Sequence, residues 1–267
     1  MIVDALRRAR TTLLWLAGPA DFLWRRSRGR GRLPPLWLRR HAGPVRGFER
    51  AAAEMAALVD QLGLLRVTDT VLDAGCGAGA MVPELLRRLS PAGRYVGFDV
   101  HAPSIRWCRG RYAGDPRLRF EVAAIASPYG SGMGASASGF RFPVSDAAAD
   151  LVLAKSLFTH LERPEASRYL SEIRRVLCPG RAALVTTFLY DEDGPAMELV
   201  RREFPFEDPS TRMRYRSRLR PTAAIAYRRA DFVCMVEEAG LRVQWMMPGF
   251  FPGSSPVTGQ DTLLLGL

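Results

Sequence analysis

Thr70-Val71-Leu72-Asp73-Ala74-Gly75-Cys76-Gly77-Ala78-Gly79, running on into Met81-Val82-Pro83-Glu84-Leu85-Leu86-Arg87-Arg88-Leu89, decides how the chain is read. Val71 and Leu72 predict the end of a short buried strand. The glycines mark a tight turn, and the apolar spacing over 81–89 predicts a helix. Without Cβ atoms, such a turn lets a ligand approach the backbone closely. The helix start also aims unpaired N–H groups at an arriving carboxylate or phosphate.

Two ligand classes fit this turn. Gly75, Gly77 and Ala80 match the G-x-G-x-x-G/A spacing of dinucleotide binders, with Asp99 at the distance of a ribose-binding acid. Asp73, two residues before the first glycine, and the third glycine at 79 fit a different pattern better. Asp-Ala-Gly-Cys-Gly-Ala-Gly resembles the first motif of the class I S-adenosylmethionine-dependent methyltransferases, where the acid stands near the cationic methionine end of the cofactor. A dinucleotide would place a pyrophosphate beside Asp73, which the carboxylate would repel.

The resemblance covers roughly residues 36–267. It implies a Rossmann-like, doubly wound α/β fold of seven strands, the last antiparallel, with helices on both faces. Arg94–Asp99 reads as strand two, Pro103–Arg109 as a helix, Arg117–Ile125 as strand three and Ala182–Phe188 as strand five. Phe142-Pro143-Val144-Ser145-Asp146, leading into the strand up to Lys155-Ser156, resembles the family's approach to strand four. Leu157–Leu161 continues it into the loop facing the transferable methyl. Arg168–Leu177 and Ala230–Ala239 read as helices, Leu241–Met247 and Thr262–Leu267 as the closing strands. Arg181 stands where many relatives carry a second glycine, a departure expected to alter only the turn.

The implied cofactor is S-adenosylmethionine, held by Asp73, Ala74, Gly75, Cys76, Gly77, Gly79, Asp99, Val100, Ala124, Ile125, Lys155 and Ser156. Ala123-Ala124 replaces the polar or acidic residue that holds adenine in the family, leaving backbone groups for that contact. Methyl transfer to a hydroxyl needs a proton acceptor, and His160 is the histidine that the resemblance brings to the reaction centre. Its structural reading is a residue opening the next helix. Glu162, Tyr129 and Asp191 are weaker candidates. The implied activity is O-methylation of a small molecule or glycan, with an RNA methyltransferase or a non-catalytic cofactor-binding, membrane-associated protein as alternatives. A dehydrogenase ranks last, because no Tyr-x-x-x-Lys pair is found.

Charge separates the leader from the body. Residues 1–50 hold 12 arginines against Asp4, Asp21 and Glu49, a balance of +9 within a net charge of +11. The remainder is nearly neutral, which argues against DNA and RNA as partners of the body. Residues 1–33 read as a basic leader, amphipathic or disordered, suited to an anionic membrane surface. Pro34-Pro35 begins a methyltransferase domain spanning 34–267. Within it, helical spacing over the second half of 36–65 suggests part of a lid. Glycine-rich 126–142 reads as a gating loop or a disordered insertion. Residues 189–229, with arginines among aromatics, read as an acceptor-binding insertion or a solvated segment. No run approaches the roughly 20 apolar residues of a membrane span. The four cysteines and three histidines are scattered, so neither disulfides nor a metal site is expected. The expected location is cytoplasmic, peripheral at the inner membrane surface.

Overall fold

Val71 and Leu72 are consecutive on a strand, so their side chains leave opposite faces, and both are fully buried. A strand apolar on both sides belongs inside a sheet covered by helices on each face. The computed structural model, which describes residues 16–31, 33–41, 47–125, 139–249 and 259–267, places it there. β1 (Thr70–Ala74) pairs in parallel with β2 (Arg94–Asp99) and β4 (Ala149–Ala154). β3 (Leu118–Val122) flanks β2, and β5 (Leu177–Tyr190) flanks β4, both parallel. β10 (Asp261–Gly266) runs antiparallel between β5 and β9 (Arg242–Met247). The order β3-β2-β1-β4-β5-β10-β9 is the doubly wound sheet expected, with its last strand antiparallel.

On the Val71 face, α3 (Phe48–Gln61), α4 (Val82–Leu86) and α5 (Ala102–Arg111) close a core around Met55, Leu85, Tyr95 and Ile105. On the Leu72 face, α6 (Arg163–Val176) and α8 (Arg229–Glu238) pack around Phe98, Leu170, Ile173 and Phe232. α6 starts five residues before the sequence expectation. Its first turn is opened by Pro164 and lacks the apolar period, so periodicity alone misses it.

Arg181 does more than alter a turn. Residues 178–181 bulge opposite Asp150, and the guanidinium forms ion pairs with Asp69 and, at 3.3 Å, with Asp150. It therefore ties the start of β5 to the entry of β1.

The 189–229 segment is folded. α7 (Met197–Glu203) and the short strands β6 (Phe206–Glu207), β7 (Arg214–Tyr215) and β8 (Ile225–Arg228) form it, and β8 extends the end of β5. Tyr190, Val200, Phe204, Ala224 and Ala226 give it a small core of its own, which the solvated-segment reading does not allow for.

The leader's described part is ordered as well. α1 (Gly18–Ser27) and α2 (Leu36–His41) are joined through buried Asp21, which pairs with Arg25 at 2.9 Å and with Arg39. The boundary expected between 33 and 34 thus runs through one packed unit. Residues 1–15, with Ile2, Val3, Leu6, Leu13, Leu14 and Trp15, lie outside the described residues. So do 126–138, which include Tyr129 and most of the expected gating loop.

Leu72→Ala should cost about 2–5 kcal/mol of unfolding free energy, because it opens a cavity in a strand buried on both faces. Urea unfolding of the variant should show this as a lower midpoint at an unchanged slope.

Candidate active site

The carboxyl ends of β1, β2 and β4 lie along one edge of the sheet, where open α/β folds bind ligands. The turn after β1 is fixed first. The N–H groups of Gly75 and Cys76 both donate to the Phe98 carbonyl, at 2.9 and 3.0 Å. Gly75, Gly77 and Gly79 all have positive φ. A side chain at Gly75 would be strained and would bring its Cβ to 3.2 Å from Leu157 Cδ1, so the loop after β4 rests on the turn.

Asp99 is engaged twice. Its Oδ2 accepts the Gly77 N–H at 2.8 Å and its Oδ1 the His101 N–H at 2.7 Å. The carboxylate therefore joins the glycine turn to the start of α5. Each oxygen retains a second lone pair for a further donor. Ala123 N donates to the Asp99 carbonyl at 3.0 Å, which brings the end of β3 alongside; Ala124 is exposed there and Ile125 buried. Val100 is half-buried next to Asp99.

Asp73 is buried, and its Oδ2 accepts the Tyr95 hydroxyl at 2.7 Å. In register Asp73 opposes Gly97, and a Cβ at Gly97 would fall 2.9 Å from both Tyr95 Cε1 and Cys76 Sγ. The absent side chain makes room for the Tyr95 ring to reach Asp73. Burial raises the Asp73 pKa to about 6, against the opposing influence of the Tyr95 hydrogen bond and the Lys155 ammonium. The same burial, with Asp73 nearby, pushes the Cys76 thiol up and keeps it neutral.

Lys155 follows β4. Burial lowers its pKa, and Asp73 and Glu54 of α3 counter that shift. It forms no ion pair within 4.0 Å among the described residues. Ser156 has φ +58°, held by its N–H on Thr186 Oγ1 at 2.8 Å and its hydroxyl on Gln260 Oε1 at 3.1 Å.

His160 occupies a 3-10 turn, Phe158–His160, with Nδ1 2.9 Å from the Thr222 carbonyl. A carbonyl only accepts, so Nδ1 carries the proton and the basic nitrogen is Nε2. Burial lowers the His160 pKa, and the Thr222 carbonyl and then Asp99 oppose that. Asp191 instead pairs with Arg229 at 3.0 Å. Glu162 stands at the N-cap position of α6 without a side-chain capping bond, and its carboxyl pKa is pushed upward by burial and then by Glu165 and Asp208.

The structure thus brings the β1 turn, Asp99, Lys155 and Ser156 to one edge. Sequence reasoning missed the partners that fix them: Tyr95, Gly97, Thr186 and Thr222. Gln260, which accepts from the Ser156 and Thr186 hydroxyls, was not read as a site residue either. Trp37 of α2 also went unread; its ring meets His101 edge-on at 6.2 Å and brings the leader to the rim of the site. Among the described residues no cluster of side chains could hold a metal ion.

Residues 71–180 match the family model described as a methyltransferase domain. That segment is a methyltransferase domain. The matched segment runs from β1 to the bulge of β5 and contains the glycine turn, Asp99, Lys155 and His160. A curated relative, an uncharacterised 37.1 kDa protein in transposon TN4556 of Streptomyces fradiae, is 26% identical over 151 residues. That match covers 51% of this chain and 39% of the relative, so the chain spans about two fifths of the relative's length. A solved S-adenosylmethionine-dependent methyltransferase from Methanosarcina mazei is similar in fold, with a TM-score of 0.53 at 17% identity, over 77% of this chain and 95% of that one. The [4+2]-cyclase SpnF is also similar, with a TM-score of 0.51 at 20% identity, over 74% of this chain and 60% of that one. At such identities the likeness is one of fold.

The residues present suit S-adenosylmethionine, the cofactor of this class. Asp73 and Lys155 offer opposite charges to the ends of an amino acid, and the glycine turn leaves the backbone open to it. Asp73 also predicts a pH effect. Its folded pKa, about 6, lies above the ordinary 3.8, so the folded form retains a proton that the unfolded chain releases. The contribution of Asp73 to ligand-free stability, read as the difference between wild type and Asp73→Asn, should fall by about 3 kcal/mol as pH rises from about 4 to about 6. Asp73→Asn should therefore gain stability over wild type above pH 6, while weakening cofactor binding; thermal melts across pH and calorimetric titration check both.

Proposed function

We propose that this methyltransferase moves a methyl group from S-adenosylmethionine to a hydroxyl oxygen of a small molecule or glycan, with His160 as general base. The observation that carries this reading is the state of His160. Its Nδ1 is committed to the Thr222 carbonyl, and burial favours the neutral ring, so Nε2 is basic at neutral pH. Bound cofactor supplies a methyl already activated by a positive sulfur. The chain's residues must position the acceptor, exclude water and remove one proton. His160 Nε2 would accept the proton that the acceptor hydroxyl gives up when it takes the methyl group. The Thr222 carbonyl then stabilises the imidazolium.

Thr222 belongs to the 189–229 insertion, so that element and the base are positioned together. Arg216 lies over Phe204 at 5.0 Å and Arg218 over Phe206 at 5.8 Å. Cations seated on aromatics suit a sugar or a phosphorylated or carboxylated acceptor. Cytoplasmic placement, peripheral at the inner membrane surface, belongs to the same proposal. It is supported by the basic leader and by the lack, among the described residues, of any helix long and apolar enough to cross a membrane.

Asp73 takes the cofactor's ammonium in this reading, Lys155 its carboxylate, and Asp99 with Val100 its ribose. Ala74, Gly75, Cys76, Gly77, Gly79 and Ser156 shape the cradle, and Ala124 and Ile125 meet the adenine. Calorimetry should show binding of S-adenosylmethionine and S-adenosylhomocysteine but not NAD. Lys155→Met should weaken S-adenosylmethionine about tenfold or more, the scale of one charge-assisted bond. Affinity for 5′-methylthioadenosine, which lacks the amino-acid group, should stay unchanged; a parallel loss there would overturn the assignment.

His160→Gln should lower kcat about 10²–10⁴-fold once an acceptor is found, at unchanged cofactor affinity. In the wild type the acid limb of kcat/KM should lie below pH 6.5, because protonation removes the base. Persistence of that limb in the glutamine variant would assign the proton transfer elsewhere.

A further inference from the structure

We propose that α1 docks the protein on an anionic membrane, placing Phe22, Leu23 and Trp24, with Leu16 ahead of them, in the lipid interface and Arg26 and Arg28 on lipid phosphates. This rests on the peripheral placement proposed above and names the face that makes contact.

The helix has its polarity reversed. At about 100° per residue, Asp21 and Arg25 lie one turn apart on one side, and that side faces the protein, 9% and 6% exposed. Leu16 lies just ahead of the helix, before its N-cap Ala17, and Leu23 takes the opposite side, with Phe22 and Trp24 flanking it. These four are 71%, 65%, 51% and 44% exposed in that order. A surface helix ordinarily does the reverse, burying its apolar stripe and leaving charges in water.

The buried side is locked. Asp21 Oδ2 accepts Arg25 Nε at 2.9 Å and Leu36 N at 3.1 Å, and Oδ1 accepts Arg39. Arg25 Nη1 donates to the Leu33 carbonyl at 2.8 Å, and Arg39 Nε to the Pro34 carbonyl at 2.9 Å. Rolling the helix over to bury Phe22, Leu23 and Trp24 would break these bonds and strand charges. The apolar face is therefore held outward by an ion-pair network, and contiguous exposed apolar faces mark interaction surfaces.

Charge selects the occupant. Asp21 is the sole acid in residues 16–41, and it is buried, whereas Arg26 and Arg28 border the face and are exposed; Arg30, also exposed, pairs with Glu49 at 3.3 Å. The Arg30 guanidinium lies 5.7 Å over the Trp24 ring, an amphipathic pair suited to headgroup level. A second copy paired about a twofold axis would bring the arginines of both chains together. RNA would satisfy the arginines and leave Leu16 and Leu23 without an apolar partner. An anionic bilayer meets both needs.

The test is sedimentation of the full chain with vesicles of phosphatidylcholine alone, or with roughly 30% phosphatidylglycerol, at low and high salt. Wild type should bind the anionic vesicles about tenfold or more tightly than the neutral ones, and less tightly at high salt. The double variants Phe22→Ser with Leu23→Ser, and Arg26→Glu with Arg28→Glu, should each lose about tenfold, at unchanged melting temperature and S-adenosylmethionine affinity. If wild type binds and both variants bind as well as it does, the α1 face is refuted while peripheral placement stands. No wild-type binding removes both. RNA retention without vesicle binding, or a concentration-dependent dimer abolished by the serine variant, overturns the proposal by giving the face another occupant.

Discussion

One carbonyl oxygen, that of Phe98, receives the first two N–H groups of the glycine turn, and the adjacent Asp99 carboxylate receives the N–H of Gly77. These three bonds join the ends of β1 and β2 into a single rigid corner. The positive φ values of Gly75, Gly77 and Gly79 are the backbone's means of meeting that requirement. The other parts of the site are placed relative to this corner. Leu157 packs on it from the loop after β4, the start of α5 is tied to it through His101 N, and β3 ends beside it.

Charge is arranged around the corner at some expense to the ligand-free fold. Asp73 is desolvated at the end of a central strand and kept acidic by Tyr95 and Lys155, while Lys155 is itself desolvated nearby. Packing alone would favour apolar residues at both positions. In the proposed reading these opposite charges serve a zwitterionic amino acid, and the protein bears their desolvation in advance of binding.

The insertion after β5 has a core of its own and supplies the Thr222 carbonyl that sets the tautomer of His160. A fold shared with a [4+2]-cyclase leaves the reaction open, so what distinguishes this protein has to lie in such added elements and their side chains. The leader is a second addition. It reaches the rim through Trp37 on His101 while presenting the outward face of α1 to its surroundings.

The sequence by itself determined the strand–turn–helix at 70–86, the alternation of strands and helices, and the positions of Asp73 and Asp99. Those features are local: periods of two and 3.6, glycines at fixed spacing, an acid at a strand end. Its resemblance to a family supplied the order of the sheet and the antiparallel last strand. Only the tertiary structure decided the partners. Tyr95 reaches Asp73 because register sets Gly97 opposite that acid; His160 meets Thr222 across 62 residues; Arg39 meets Asp21 across 18 and so turns α1 with Phe22, Leu23 and Trp24 outward. A helical pattern states that one face is apolar, but which way that face points depends on what holds the other side, and here a buried carboxylate holds it.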